Sequence, residues 1–253
     1  MPARNNEPSS FPPSAYKELV KYEDSHWWFD SRNILLDWVF SSNCVDRGDF
    51  LEIGCGSGIV TSFLEGRYPG INFSASDLHE EGLHYAAKRF TRSRCFQLDV
   101  TSMNVVNKYD LIGCFDVLEH IQQDSLVLSN VRNALRTEGL LMLTVPQHMF
   151  LWSTTDTIAC HKRRYNRDDL ALKLKLAGFK IKFSTSFVTL LFPALIFVRF
   201  FARNPNYNPE SEFNLNPFIN KFLSLVMHVE FFLIKVGISF PFGGSLLIFA
   251  QKR

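Results

Sequence analysis

The sequence predicts an α/β fold with a doubly wound, mostly parallel sheet. Three observations carry this. Apolar strand-like runs alternate with helical segments over short connections from Phe50 to Phe187. A glycine-rich turn, Gly54-Cys55-Gly56-Ser57-Gly58, directly follows the first run. Acidic residues (Glu52, Asp77, Asp99 and Asp116) fall in or near the ends of four successive strands. Such alternation pairs strands in parallel, and parallel sheets take ligands beyond the carboxyl ends of their strands. A turn or helix cap would account for any one acid; four in successive units mark a site.

The elements follow in chain order. Residues 1–15, rich in Pro, Asn and Ser, read as a disordered tail without a secretory leader. Residues 16–40 read as one helix, in which His26-Trp27-Trp28-Phe29 either packs on the core or lids a ligand. The first strand ends at the glycine turn, and the next helix runs from Ile59 to Arg67, where Tyr68-Pro69-Gly70 stops it. Ile71–Asp77 is the second strand, Glu80–Phe90 a helix, Arg94–Val100 the third strand and Tyr109–Val117 the fourth. A helix over Ser125–Arg136, a turn at Thr137-Glu138-Gly139 and a fifth strand to Pro146 come next. Asn166 starts another helix, and Phe179–Phe187 is the sixth strand.

Composition narrows the function. A net charge of +2 gives no case for nucleic acid. The five cysteines (Cys44, Cys55, Cys95, Cys114 and Cys160) show no metal-ligand spacing, so no metal is expected and the setting reads as a reducing cytoplasm.

The glycine turn chooses its ligand by what it lacks. A phosphate loop needs Lys and then Ser or Thr after its last glycine, where this chain has Ile59 and Val60. A dinucleotide turn sets its third glycine one place later than Gly58. Glu52 suits a cation, such as a ligand with a sulfonium and an ammonium. Asp77 stands where a carboxylate accepts ribose hydroxyls, and Asp99 where one accepts from an adenine amine.

Through LEIGCGSG, SASDL, CFQLDV, YDLIGCFDVLEHI and LRTEGLLMLTVP, the chain resembles the class I S-adenosylmethionine-dependent methyltransferases over about residues 30–187, with DVLEHI closest to their small-molecule and quinone-type branch. The resemblance implies S-adenosyl-L-methionine as cofactor and a seven-stranded sheet whose last strand is antiparallel. It implies that Glu52, Gly54, Cys55 and Gly56 surround the methionine portion and that Asp77 and Leu78 hold the ribose. Asp99 and Val100 would meet the adenine, with Phe115 and Leu118 nearby. Arg32, on the helix before the first strand, and His120 would face the cofactor.

A general base is needed where the acceptor is a hydroxyl or an acidic carbon. His148 and His161, on the loop after the fifth strand, are the expected bases, and Tyr165 would position an acceptor oxygen. In HKRRYNRDD, the cations Lys162, Arg163, Arg164 and Arg167 form either a solvated charge run or a clamp for an anionic acceptor.

The core therefore covers residues 16–186, with residues 243–253 as its final strand after Gly243-Gly244. Residues 187–242 are an apolar helical insertion. Its first run is broken at Arg199, and its second is interrupted by His228, Glu230 and Lys235, so neither reads as a membrane span. Peripheral contact with a membrane surface, a roof over a greasy acceptor and a homodimer interface are the readings. The expected function is methyl transfer, to oxygen of a small-molecule, lipid or lipid-linked acceptor. The rivals are a cofactor-binding partner without turnover and an NAD or nucleotide-sugar enzyme on a similar sheet.

Overall fold

The computed structural model describes residues 12, 15–43, 47–204 and 212–253. Most of the N-terminal tail and Cys44 lie outside the described residues.

Two helices, α1 (Ala15–Glu23) and α2 (Trp27–Asn43), stand where one was expected. The break is at His26, a buried residue whose Nδ1 accepts the amide of Trp28 at 3.3 Å. Then come β1 (Gly48–Ile53), α3 (Ile59–Glu65), β2 (Ile71–Asp77), α4 (Glu80–Arg89), β3 (Arg94–Gln97) and β4 (Tyr109–Phe115). The chain continues through α5 (Asp124–Ala134), β5 (Leu135–Pro146), α6 (Thr154–Ile158), α7 (Arg167–Leu176) and β6 (Phe179–Phe187). It closes with α8 (Phe192–Phe201), α9 (Pro217–Lys235) and β7 (Ser245–Lys252).

Third-strand pairing stops at Gln97, short of the expected end, because Asp99 turns the chain into a 3-10 turn over Val100–Ser102 and caps it by accepting the amide of Thr101. The expected turn at 137–139 lies inside β5, whose pairing with β4 shifts register between Tyr109 and Leu111.

The seven strands run in the order β3-β2-β1-β4-β5-β7-β6, all parallel except β7, which is antiparallel to both neighbours. Side chains two apart share a face of a strand, so β7 sends Leu246, Ile248 and Ala250 to one core and Leu247 and Phe249 to the other. The first core lies under α5 and α7. The second is closed by Leu36 and Phe40 of α2, Val60 and Leu64 of α3, and Met227, Phe231 and Ile234 of α9.

The insertion leaves and rejoins the sheet through a tight junction. Val188 adopts φ 58°, unusual for a β-branched residue. A Cβ on Gly243 would lie 2.3 Å from the carbonyl oxygen of Phe187. α9 is tied down by Glu230, whose Oε2 accepts the amides of Thr189 at 2.7 Å and Leu190 at 2.8 Å. Asn220 accepts the amide of Trp27 at 2.9 Å and donates to the carbonyl of Ser25 at 2.9 Å. By length and composition alone, α9 is long and apolar enough to cross a membrane. Of the charges that interrupt the run, Glu230 is fully buried on the amides that follow β6, whereas His228 and Lys235 are exposed.

Candidate active site

A cavity of about 1120 Å³ opens at the carboxyl ends of β1, β2 and β4. That exceeds the ~300–1,000 Å³ usual for one small-molecule site and leaves room for a donor and an acceptor together.

Its floor is the glycine turn and the acids around it. Gly54 (φ 69°) and Gly58 (φ 82°) are left-handed, and a Cβ on Gly54 would lie 2.3 Å from Val117 Cγ2. No side chain fits there, so the turn stays low. Glu52 is buried, and its Oε2 accepts the amide of Thr61 at 3.0 Å. Burial pushes its carboxyl up to about 7, against the pull of Thr61 and Arg32. Asp77 accepts the amide of Gly56 on Oδ2 at 2.8 Å and that of His79 on Oδ1 at 2.9 Å. The Tyr16 hydroxyl also donates to Oδ1, at 3.4 Å. These bonds use much of the carboxylate's acceptor capacity, so a ribose there needs Tyr16 to give way. Asp99 receives Thr101 through Oδ1 alone. Asp116, at φ 55°, pairs with Arg32 Nη1 at 2.8 Å. Arg32 is buried under the ring of Trp28, 4.6 Å from its centroid.

The walls come from two directions. His26, Trp27, Trp28 and Phe29 line the cavity, and Trp27 and Trp28 also pack on the core, as the first of the two readings expected. Leu191, Ala194, Leu195 and Val198, at and within α8, form another part of the lining, and Phe213, before α9, stacks on Phe29 at 6.2 Å. Beside the glycine turn, Glu52, Asp77 and Asp99 outnumber Arg32, which is itself paired with Asp116, so the floor suits a cationic ligand.

The comparisons with known proteins agree with this chemistry. The model of a methyltransferase domain family matches residues 51–141. The chain is similar to a malonyl-acyl-carrier-protein O-methyltransferase of Acetivibrio thermocellus, 27% identical over 121 residues, or 46% of this chain and 42% of that protein. It is also similar to a probable S-adenosylmethionine-dependent methyltransferase of Mycolicibacterium smegmatis, 22% identical over 180 residues, or 69% of this chain and 68% of that one. Among solved structures, the cyclase SpnF superposes with a TM-score of 0.61 at 17% identity, covering 89% of this chain and 82% of that chain; the likeness is one of fold. Residues 51–141 match a methyltransferase domain, and the likeness of the chain is to S-adenosylmethionine-dependent methyltransferases. Its match to the first of these relatives spans less than half of that protein's length.

Of the site residues expected from the sequence, Arg32, Glu52, Gly54, Cys55, Gly56, Asp77, Leu78, Asp99, Val100, Phe115, His120 and His161 all line the cavity. Leu118 does not; it is buried in the core beneath α5. Two expected acceptor residues are also displaced. Tyr165 is buried, and its hydroxyl donates to Asp124 at 2.9 Å and to the Leu118 carbonyl at 3.3 Å. His148, at φ 65°, stacks on Phe150 at 5.2 Å and lies outside the cavity lining. The cationic clamp also shrinks. Arg163 pairs with Asp124 at 2.6 Å, Arg164 is buried on Asp156, and Arg167 donates to the Phe240 carbonyl. Lys162 remains exposed at the cavity.

The histidine that stays in the cavity is buttressed. His161 Nδ1 lies 2.9 Å from Asp156 Oδ1, and Arg164 grips the same carboxylate with Nε at 2.8 Å and Nη2 at 3.0 Å. Burial opposes ionisation of Asp156, but His161 and Arg164 outweigh it and hold the carboxyl well below its usual range. The His120 ring lies 4.6 Å from that of His161, and burial with the neighbouring His161 depresses its pKa to about 3.

The sequence reading missed Glu119 and Asp156. Glu119 lines the cavity 1% exposed, and apart from its own backbone amide neither carboxylate oxygen has a hydrogen-bond partner among the described residues. Burial and then the charge of Asp116 raise its pKa well above the usual. Glu119, His120 and His161 bring one ligand-type atom each within 4.8 Å of one another, a spacing a divalent cation would fit. That grouping had no sequence signature because its members come from two separated segments. Asp156 did have one: Ser153 and Asp156 form a capping box, readable as Ser-x-x-Asp.

Proposed function

We propose that the protein transfers the methyl group of S-adenosylmethionine to an oxygen of an apolar small-molecule, lipid or lipid-linked acceptor, and that residues 187–242 bring it against a membrane surface from the cytoplasmic side. The observation that carries this reading is the make-up of one cavity: a carboxylate floor suited to the cationic donor runs into an apolar wall from α8 suited to a greasy acceptor.

Bound S-adenosylmethionine would supply an electrophilic methyl on a sulfonium. Glu52, Gly54, Gly56 and Asp77 would hold it from below, with Arg32 and the tryptophans at its side. His161 is the proposed base. With its Nδ1 proton donated to Asp156, the Nε2 atom is left to take the proton of an acceptor hydroxyl, and ionised Asp156 stabilises the resulting imidazolium. Arg164 keeps Asp156 ionised and oriented. Trp27, Trp28 and Phe213 exclude water from the same space.

The test is incubation with a labelled methyl donor and a membrane lipid extract. Label in the organic phase, on an ether or ester, is the expected result. Label confined to the aqueous phase contradicts the lipid acceptor. Cofactor binding without S-adenosylhomocysteine formation in any extract supports the rival without turnover.

A further inference from the structure

α9 carries two apolar faces. At about 100° per residue, Met227, Glu230, Phe231 and Ile234 fall on the inner face and are buried. Phe218, Phe222, Leu225, Val229, Phe232 and Val236 fall on the opposite face, each at least 50% exposed. Their spacing alternates four and three, a seven-residue repeat over the whole helix. Along one flank, Lys221, His228 and Lys235 recur at the same period, all exposed. The lone acid of α9 is Glu230, and it is on the inner face. Of the 24 large hydrophobic side chains exposed among the described residues, 15 lie between Phe187 and Phe242, so the apolar surface is concentrated here.

A seam of this period would also suit a helix from a second copy, and charge decides between the two occupants. In a parallel pair the basic flank would meet Ile219, Val226 and Leu233; in an antiparallel pair lysine would meet lysine. Neither arrangement supplies an acid. Anionic headgroups do, and an apolar face rimmed by lysine is the pattern of a helix lying in a lipid interface.

We propose that α9 seats the protein on an anionic lipid bilayer through this outer face, with Lys221, His228 and Lys235 against the headgroups. The proposal deepens the membrane contact proposed above and rests on it. α8 adds Phe197, Phe200 and Phe201 on its exposed side, while Ala194, Leu195 and Val198 line the cavity. A single helix therefore separates the acceptor space from the surroundings, and an acceptor dissolved in the bilayer has a short path to it.

The test is flotation of the full chain with phosphatidylcholine vesicles, with and without about a third phosphatidylglycerol. Binding to the anionic vesicles is expected to exceed binding to the neutral ones at least about tenfold and to weaken with salt. Phe222→Ser with Phe232→Ser should lower it at least about tenfold, and Lys221→Gln with Lys235→Gln about thirtyfold. None of these four residues lines the cavity, so S-adenosylmethionine affinity and the thermal unfolding midpoint should stay as in the parent. The proposal is overturned by absence of binding to either vesicle in a folded protein, by binding the variants leave unchanged, or by a dimer in solution that the phenylalanine variant converts to monomer. Loss of cofactor binding in the parent itself would instead sink the methyltransferase reading.

Discussion

On the floor of the cavity, Glu52 and Asp77 are fixed by bonds to nearby backbone amides, those of Thr61, Gly56 and His79. On the wall, α8 contributes Ala194, Leu195 and Val198 to the cavity and contains no acid. The floor is polar, local and rigid, and its chemistry is that of the donor. The wall is apolar and non-local: Glu230 of α9 holds the amides of Thr189 and Leu190 just before α8, and this wall is the one proposed to meet the acceptor. Changes to the floor should alter cofactor affinity, changes to the wall should alter acceptor use, and His161, between them, should alter turnover alone.

The largest effect expected is on turnover. His161→Ala should lower kcat by about 10²–10⁴-fold, the range for loss of a general base, with cofactor affinity nearly unchanged; Asp156→Asn should act in the same direction. A shift confined to cofactor affinity would remove His161 from the chemistry. Next, Asp77→Ala should weaken S-adenosylmethionine binding about a hundredfold, through loss of charged acceptors and two amides left without partners. Calorimetric titration reads this, and an acceptor KM that moves instead would break the division between floor and wall.

A smaller effect is expected from pH. Burial first, partly offset by Thr61 and Arg32, lifts Glu52 to about 7. Between the ordinary carboxylate range and that value, the folded protein keeps a proton that the unfolded chain releases, so this group's contribution to stability falls as pH rises through the window. A cationic ligand favours the ionised form, so cofactor affinity should rise up to about tenfold from pH 6 to pH 8. Glu52→Gln should flatten that rise, and a rise that persists in the variant would assign it elsewhere. The smallest effect is at the wall. Leu195→Ala should raise the KM for an apolar acceptor by about three- to tenfold, as expected for a few methyl groups taken out of contact, and leave cofactor affinity alone.

The sequence reached the floor more fully than the wall for a physical reason. Gly54, Gly56, Asp77 and Asp99 sit at strand ends, and the parallel sheet brings strand ends together by itself. In HKRRYNRDD neither expected reading covers the arginines, because their charges are answered from elsewhere in the chain, Arg163 by Asp124, Arg164 by Asp156 and Arg167 by the Phe240 carbonyl. Tyr165 likewise follows Asp124 into the core. Phenylalanine enrichment announced an apolar insertion, but period and composition do not say which face turns inward. Glu230, read as an interruption, is the residue that ties α9 to the junction between β6 and α8.

A carboxylate floor of this kind should select a cationic nucleoside. Calorimetric titration of S-adenosylmethionine into the folded full chain tests it most directly. Saturable one-to-one binding is expected, which Asp77→Ala weakens and NAD does not compete away. No detectable binding by the folded protein, or displacement of the cofactor by NAD, would contradict it.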